Sequence, residues 1–259
     1  MNLKRVSYYL SFFCFPISIL AFINILYSSY FDYFLSINSY LITLVASLVI
    51  GLSFFFLGKK SEKKINFIEQ LILIILVYLI TSLFISLPFY LSNYQVTLLN
   101  SFFEAISGVT GTGFSIFENI KYLDPTLILW RSSSQWIGGL YFLFFLILIF
   151  SNKQFRYKMN DLTYSGDGRI NSEGNIKDLL SKIFIFYSSL SLIIFLLLNI
   201  SDVRMFNSLN LSMSLISSGG FLPTDSLDKI IRSNSQKIIF IFSLLISMLN
   251  FFLILNIFQ

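Results

Sequence analysis

The sequence predicts an all-α membrane protein of six transmembrane helices, with a re-entrant loop in each of two linkers among the last four. Three observations carry this reading. Hydrophobic residues make up 56% of the chain and charged residues 12%, about half the charged share of an ordinary soluble domain. Mean hydropathy is +0.78, and six apolar stretches each reach the roughly 20 residues that a helix needs to cross a bilayer. The linkers between the third and fourth stretches and between the fifth and sixth also repeat each other in sequence.

The spans fall at 6–30, 34–57, 67–91, 126–150, 180–200 and 236–258. The first is free of charge from Val6 to Phe31. That run is longer than a signal-peptide core and lacks an A-x-A cleavage pattern, so it reads as a retained helix. Gly58-Lys59-Lys60-Ser61 closes the second span, and Pro88 and Asn93 mark the end of the third. Residues 152–178 are the most polar stretch, carry Gly166, Gly168 and Gly174, and read as a cytoplasmic loop. Four segments follow: a helix pair at 1–58, a first helix–loop–helix unit at 59–151, the loop at 152–178, and a second unit at 179–259.

Charge fixes an orientation. Lys4 and Arg5 precede the first span, and Lys59, Lys60, Lys63 and Lys64 separate the second from the third. Lys153, Arg156, Lys158, Arg169, Lys177 and Lys182 lie around the polar loop. All these positions share one side, as the positive-inside rule requires of a cytoplasmic face. Both termini are then cytoplasmic. The net charge of +5 is a topology signal, and no nucleic-acid partner is needed to explain it.

The chain has no histidine and a single cysteine, Cys14. An intrachain disulfide is therefore impossible, and no Cys/His cluster offers a transition-metal site. No nucleophile–base pair or acid–base pair stands in or near the spans, so an enzyme is not expected.

The two informative linkers are 92–125 and 201–235. In the first, Thr97 to Ile106 is too short to span a bilayer but suits a half-helix, and glycine-containing chain follows. Such backbone at membrane depth is tolerated only where protein buries it or it lines a water-filled cavity. A gapless shift of 107 residues pairs Asn100 with Asn207, Ser101 with Ser208, Ser107 with Ser214, Gly113 with Gly220 and Phe114 with Phe221. The candidate ion-binding segments are Thr110-Gly111-Thr112-Gly113-Phe114 and Ser217-Ser218-Gly219-Gly220-Phe221. Backbone carbonyls replace the water around a cation when several strands converge on an axis. Glycine allows the backbone to aim them, having no Cβ to clash. The carbonyl end of the preceding half-helix adds partial negative charge. Glu104 is either a source of local negative charge or a partner for a nearby hydroxyl or backbone donor. Asp225, after Pro223-Thr224, reads as a turn or cap residue.

Residues from about 66 to 258 resemble the Trk/Ktr/HKT superfamily of potassium transporters. The resemblance rests on Phe103-Glu104-Ala105-Ile106-Ser107-Gly108-Val109-Thr110-Gly111-Thr112-Gly113, on Trp130-Arg131-Ser132-Ser133-Ser134-Gln135-Trp136-Ile137-Gly138-Gly139, and on Ser217-Ser218-Gly219-Gly220-Phe221 followed by Thr224-Asp225. It implies a potassium-channel-like fold of pseudo-repeated helix–pore loop–helix units with one filter glycine each, here Gly113 and Gly220. It also implies K⁺ as the transported ion, held at Thr110, Gly111, Thr112, Gly113, Ser217, Ser218, Gly219 and Gly220, with no organic cofactor. Arg131 becomes a brace behind the filter, to Glu104 or Asp124, or alternatively an ion-repelling charge. Trp130 and Trp136 equally fit interfacial anchors, and Gly138-Gly139 a close helix crossing. A bacterial inner-membrane setting and a cytoplasmic nucleotide-binding regulatory subunit follow from the same resemblance.

Family members carry four such units and this chain has two. Expected ways of completing the ring are a second copy or a separate chain bearing the other half. A truncated, non-conducting remnant or a membrane scaffold is the alternative.

Overall fold

A computed structural model describes residues 3–33, 37–61, 65–150 and 176–257, with side chains left out at 150, 176–179 and 249–257. Eight α-helices appear among them. They are α1 (Leu3–Tyr30), α2 (Ile37–Gly58), α3 (Phe67–Tyr90), α4 (Leu98–Val109), α5 (Pro125–Phe150), α6 (Ile176–Ile200), α7 (Met205–Ile216) and α8 (Asn234–Ile257). Short 3-10 turns occupy Ile120–Tyr122 and Leu227–Lys229.

Five of these helices, α1, α2, α3, α5 and α6, are long and apolar enough to cross a membrane. The sixth expected span, α8, is an apolar helix whose side chains are described as far as Met248. Most of the polar 152–178 segment, with Lys153, Arg156, Lys158 and Arg169, lies outside the described residues, as do Lys63 and Lys64.

α1 buries one stripe, Val6, Leu10, Phe13, Ile17, Leu20 and Asn24, at the three-to-four-residue spacing of a helix face. Its partner α2 meets it with small residues. Gly51 sits against Cys14, Gly58 against Tyr8, and Ser47 shares a 2.7 Å hydrogen bond with Ser18. Lipid is as apolar as the side chains facing it, so close backbone packing of this kind is what joins helices there. At the start of α3 the Glu69 carboxylate accepts from the Asn66 N–H at 3.1 Å and pairs with Arg5 at 3.6 Å. α1 and α3 are thereby tied near their N-terminal ends.

α3 ends at Tyr90, between Pro88 and Asn93 and within one residue of the expected end, with Pro88 inside its last turn. A proline this late removes a single bond, to the carbonyl four residues back. α5 opens on Pro125, where a missing N–H costs nothing, and the Asp124 carboxylate accepts from the Thr126 N–H at 3.1 Å. α6 begins at Ile176, four residues before its expected start.

Two apolar cores result. One gathers α1, Tyr40 of α2, α3, α4 and the α5 residues Leu127, Ile128, Trp130, Ile137, Tyr141 and Phe145; the other gathers α6, α7 and a second face of α5, Leu140, Leu143 and Ile147, closed by Ile230 and Ile231. α5 is the most enclosed of the spans and belongs to both cores. It is therefore the wall against which the chain after α4 and the chain after α7 are both held.

Candidate functional site

The segment after α4 and the segment after α7 have the same backbone. α4 and α7 are each 12 residues long and start 107 positions apart, and the two 3-10 turns lie 107 apart as well. Left-handed φ values recur at the same offset: 52° at Gln95 and 63° at Asp202, 70° at Gly111 and 54° at Ser218, 79° at Gly113 and 78° at Gly220. Hydrogen bonds recur too. Thr112 N–H donates to the Ser107 carbonyl at 3.0 Å, and Gly219 N–H to the Ser214 carbonyl at 2.8 Å. Thr110 Oγ1 donates to the Ile106 carbonyl at 2.7 Å, and Ser217 Oγ to the Met213 carbonyl at 2.9 Å. The repeat read from five residue identities thus extends to backbone geometry over 95–122 and 202–229.

The two loops lie against each other. A side chain at Gly113 would strike the Gly219 carbonyl and come within 3.4 Å of the Gly220 Cα, and one at Gly111 would come within 3.4 Å of the Ser217 carbonyl. Thr110 and Thr112 share a 2.7 Å hydroxyl contact. Against the start of both loops is a cavity of about 300 Å³, lined by Thr110, Gly111, Ser217, Ser218, Gly138 and Gly139 among others. The last residues of α4 and α7, Val109 and Ile216, also line it. The C-terminal ends of two helices therefore face one space, and each helix dipole places roughly half a negative charge there.

Behind the loops runs a buried polar brace. Arg131 on α5 and Glu104 on α4 are 1% and 0% exposed, and Arg131 Nε lies 2.8 Å from Glu104 Oε1. Glu104 also accepts from Ser115 Oγ at 3.1 Å and from the Ile116 N–H at 2.8 Å. Arg131 spends its other nitrogens on Ser115 Oγ at 2.9 Å and on the Leu222 carbonyl at 3.3 Å. Its guanidinium carbon stands 4.3 Å from the centre of the Phe221 ring. The pair so reaches the descending chain of both loops, at Ser115–Ile116 and at Leu222. Asp124, the other partner that the sequence offers Arg131, instead caps α5.

The eight candidate ion-binding residues are all brought together at this junction: Thr110 to Gly113 from one loop and Ser217 to Gly220 from the other. Sequence reasoning missed three residues that hold them. Gln135, fully buried on α5, donates from Nε2 to the Gly219 carbonyl and accepts the Phe221 N–H on Oε1 at 3.1 Å. Ser115 joins Glu104 to Arg131. Ser107 donates to the Phe114 carbonyl at 2.6 Å. Gln135 and Ser107 stand within the motifs and Ser115 directly after Phe114, but nothing in local spacing marks contacts across 84 or 16 positions.

Outside the helices, Asp225 joins the two loops at their rim. It accepts from the Lys121 N–H at 3.3 Å and pairs with Lys229 at 2.6 Å. The bond from Lys229, aided by the Lys121 N–H, holds its carboxyl below the ordinary range.

The helices, the paired loops and the buried brace define a multi-pass membrane protein of TrkH-like fold. The crystal structure of the potassium transporter TrkH from Vibrio parahaemolyticus superposes with a TM-score of 0.78 at 19% identity, over 95% of this chain and 50% of that one. An uncharacterized cation transporter of Methanocaldococcus jannaschii is 29% identical over 189 residues, covering 71% of this chain and 38% of that protein. The Trk system potassium uptake protein TrkI of Halomonas elongata is 39% identical over 72 residues, which is 28% of this chain and 15% of the relative. No protein-family model matches the chain. By sequence and fold it is a homologue of the Trk potassium uptake proteins, which are transporters and not enzymes. It spans half the length of the solved TrkH and less of these relatives.

Proposed function

We propose that this chain forms part of a potassium-uptake pathway across the cell membrane, its two loops supplying two strands of a cation filter. The observation that carries the reading is the convergence of two backbones of one geometry, each after a helix C-terminus, on a single cavity. Under it, α1, α2, α3, α5, α6 and α8 are six spans, and α4 and α7 are half-helices of pore loops that enter from outside. Both termini are cytoplasmic, the membrane is a bacterial inner membrane, and carbonyls of the loops from Thr110 to Gly113 and from Ser217 to Gly220 take the place of the water around K⁺.

Two strands cover only one side of an ion. Phe114 is 68% exposed where its repeat partner Phe221 is 1% exposed, which supports an open flank beside the first loop. A second copy, or further units of a longer polypeptide or of a second one, closes the ring there. A nucleotide-binding regulatory subunit docks on the basic cytoplasmic face.

Expression in cells that lack potassium uptake tests the reading. Growth at low potassium is expected from the chain together with whatever completes its ring. Gly113→Ser or Gly220→Ser is expected to abolish growth or admit Na⁺. Absence of uptake from the assembled, correctly inserted protein would overturn conduction, and reporter fusions that place residues 92–125 in the cytoplasm would overturn the topology.

A further inference from the structure

The two loops share a backbone but not their surroundings, and the difference centres on one carboxamide. Gln135 projects from α5 into the second loop and spans it at two points, donating to the Gly219 carbonyl and accepting from the Phe221 N–H. Both heteroatoms of a side chain with no exposed surface are thus satisfied, as a buried amide requires. The Gly219 carbonyl is the same atom that a side chain at Gly113 would strike. It therefore lies in the seam between the loops, between Gly113 and the Gln135 amide. Thr112 holds the matching place in the first loop, and among the described residues no side-chain donor reaches its carbonyl.

We infer that Gln135 is a positioning residue for ion selectivity, which engages the Gly219 carbonyl in the seam while the carbonyl of its repeat partner Thr112 stays, among the described residues, without a side-chain donor. Resting on the filter reading above, this makes the two strands unequal. Among the described residues no hydrogen-bond donor reaches the carbonyls from Thr110 to Gly113, whereas in the second strand that of Gly219 is taken by Gln135. A carbonyl tied to an amide donor is also a weaker ligand, since one of its two lone pairs is already shared. Gln135 further sets the distance between strands: Gly219 carries no side chain because any Cβ there would displace the amide.

The test combines Gln135→Met, which keeps length and apolar bulk but removes donor and acceptor, with Gly219→Ala, which pushes on the same contact from the loop. Rb⁺ and Na⁺ uptake are measured in membranes at matched protein abundance, with hydrogen exchange at the Phe221 amide. The expected result is a fall of about tenfold in the Rb⁺/Na⁺ ratio for each variant, the scale of one buried hydrogen bond lost. The double variant is no worse than the poorer single one, because both break one contact. Phe221 exchanges about tenfold faster in Gln135→Met, by the loss of the same bond. A wild-type ratio in Gln135→Met, or losses that multiply in the double variant, would overturn the inference. If the wild-type assembly carries no Rb⁺, the uptake reading fails by itself, and exchange at Phe221 then decides the Gln135 contact: unchanged protection in Gln135→Met rejects it. If Gln135→Met does not accumulate, the Rb⁺/Na⁺ ratio of Gly219→Ala and its Phe221 exchange decide, and wild-type values for both reject it.

Discussion

The first loop is held from within its own unit and the second from outside it, although the two backbones follow one course. In the first, the Glu104 carboxylate on α4 takes the Ser115 hydroxyl and the Ile116 N–H. The 107-residue offset places Leu211, Leu222 and Pro223 at those three positions of the second unit. The carboxylate, the hydroxyl and the N–H are all absent together, since proline has no N–H to satisfy. The second loop is held instead by α5, through Arg131 to the Leu222 carbonyl and Gln135 to Gly219 and Phe221. A repeated backbone thus does not need a repeated brace; what it needs is that every buried polar group find some partner. The cost of the arrangement is dependence, because one helix carries the fixings of both loops.

The strongest way to break this comparison is at the shared fixing. Arg131→Met leaves Glu104 as a buried charge without its cation, a loss of about 3–5 kcal/mol. Both loops are expected to loosen together, and the protein in detergent to melt at markedly lower temperature. Replacing both residues, Arg131→Met with Glu104→Leu, imitates the apolar second unit. Its melting temperature is expected above that of either single variant, since no uncompensated charge remains. If the double variant melts at the temperature expected from two independent losses, the pair is not acting as one brace.

A smaller contrast separates the two filter glycines. Both have left-handed φ, 79° at Gly113 and 78° at Gly220, so alanine at either costs about 1–2 kcal/mol of backbone strain. Their surroundings differ. A Cβ at Gly220 meets only the Gly113 Cα at 3.9 Å, whereas one at Gly113 runs into the Gly219 carbonyl. Gly113→Ala is therefore expected to cost about 1–3 kcal/mol more, the usual range for overpacking. Thermal melts of the two variants beside the wild type check it, and equal shifts would mean that the seam is looser than this packing.

Much of this was legible in the sequence, for identifiable reasons. Length and hydropathy place helices of membrane-crossing size within a few residues, because roughly 20 apolar residues in a row have few alternatives. The repeat was legible from Gly113 with Gly220 and Ser107 with Ser214, since positive φ and tight turns restrict which residues fit. The helix after residue 152 was expected to start at 180 and starts at 176; Lys177 and Asp178 hide its first turn from any hydropathy reading. Pro88 and Asn93 bracketed the end of the third helix correctly, because a proline in the last turn signals a nearby end while removing a single bond. Gln135 was not legible in its role, because its partners lie 84 and 86 positions away. One amide in a helix looks the same whether it faces solvent, lipid or a carbonyl. Ser115 looked like any loop serine until Glu104 and Arg131 met over it.

The mildest probe lies at the rim, where Asp225 ties the second loop to the first. Its pairing with Lys229 and the bond from Lys121 N–H lower its carboxyl pKa relative to the unfolded chain. A lowered carboxylate contributes stability in full above the unfolded value, near 3.9, and loses it as pH falls through the lower folded value. Asp225→Asn is accordingly expected to change melting slightly at neutral pH, and not at all once the pH is far enough below the folded value that the wild type has given up the charge. Because the pair is exposed, added salt is expected to shrink the neutral-pH difference further. The same substitution in an Arg131→Met background separates rim from brace. If the loops meet mainly through α5, the two effects add, since the sites share no partner. An excess loss in the double variant would mean that the rim contact holds the loops together once the buried brace is gone.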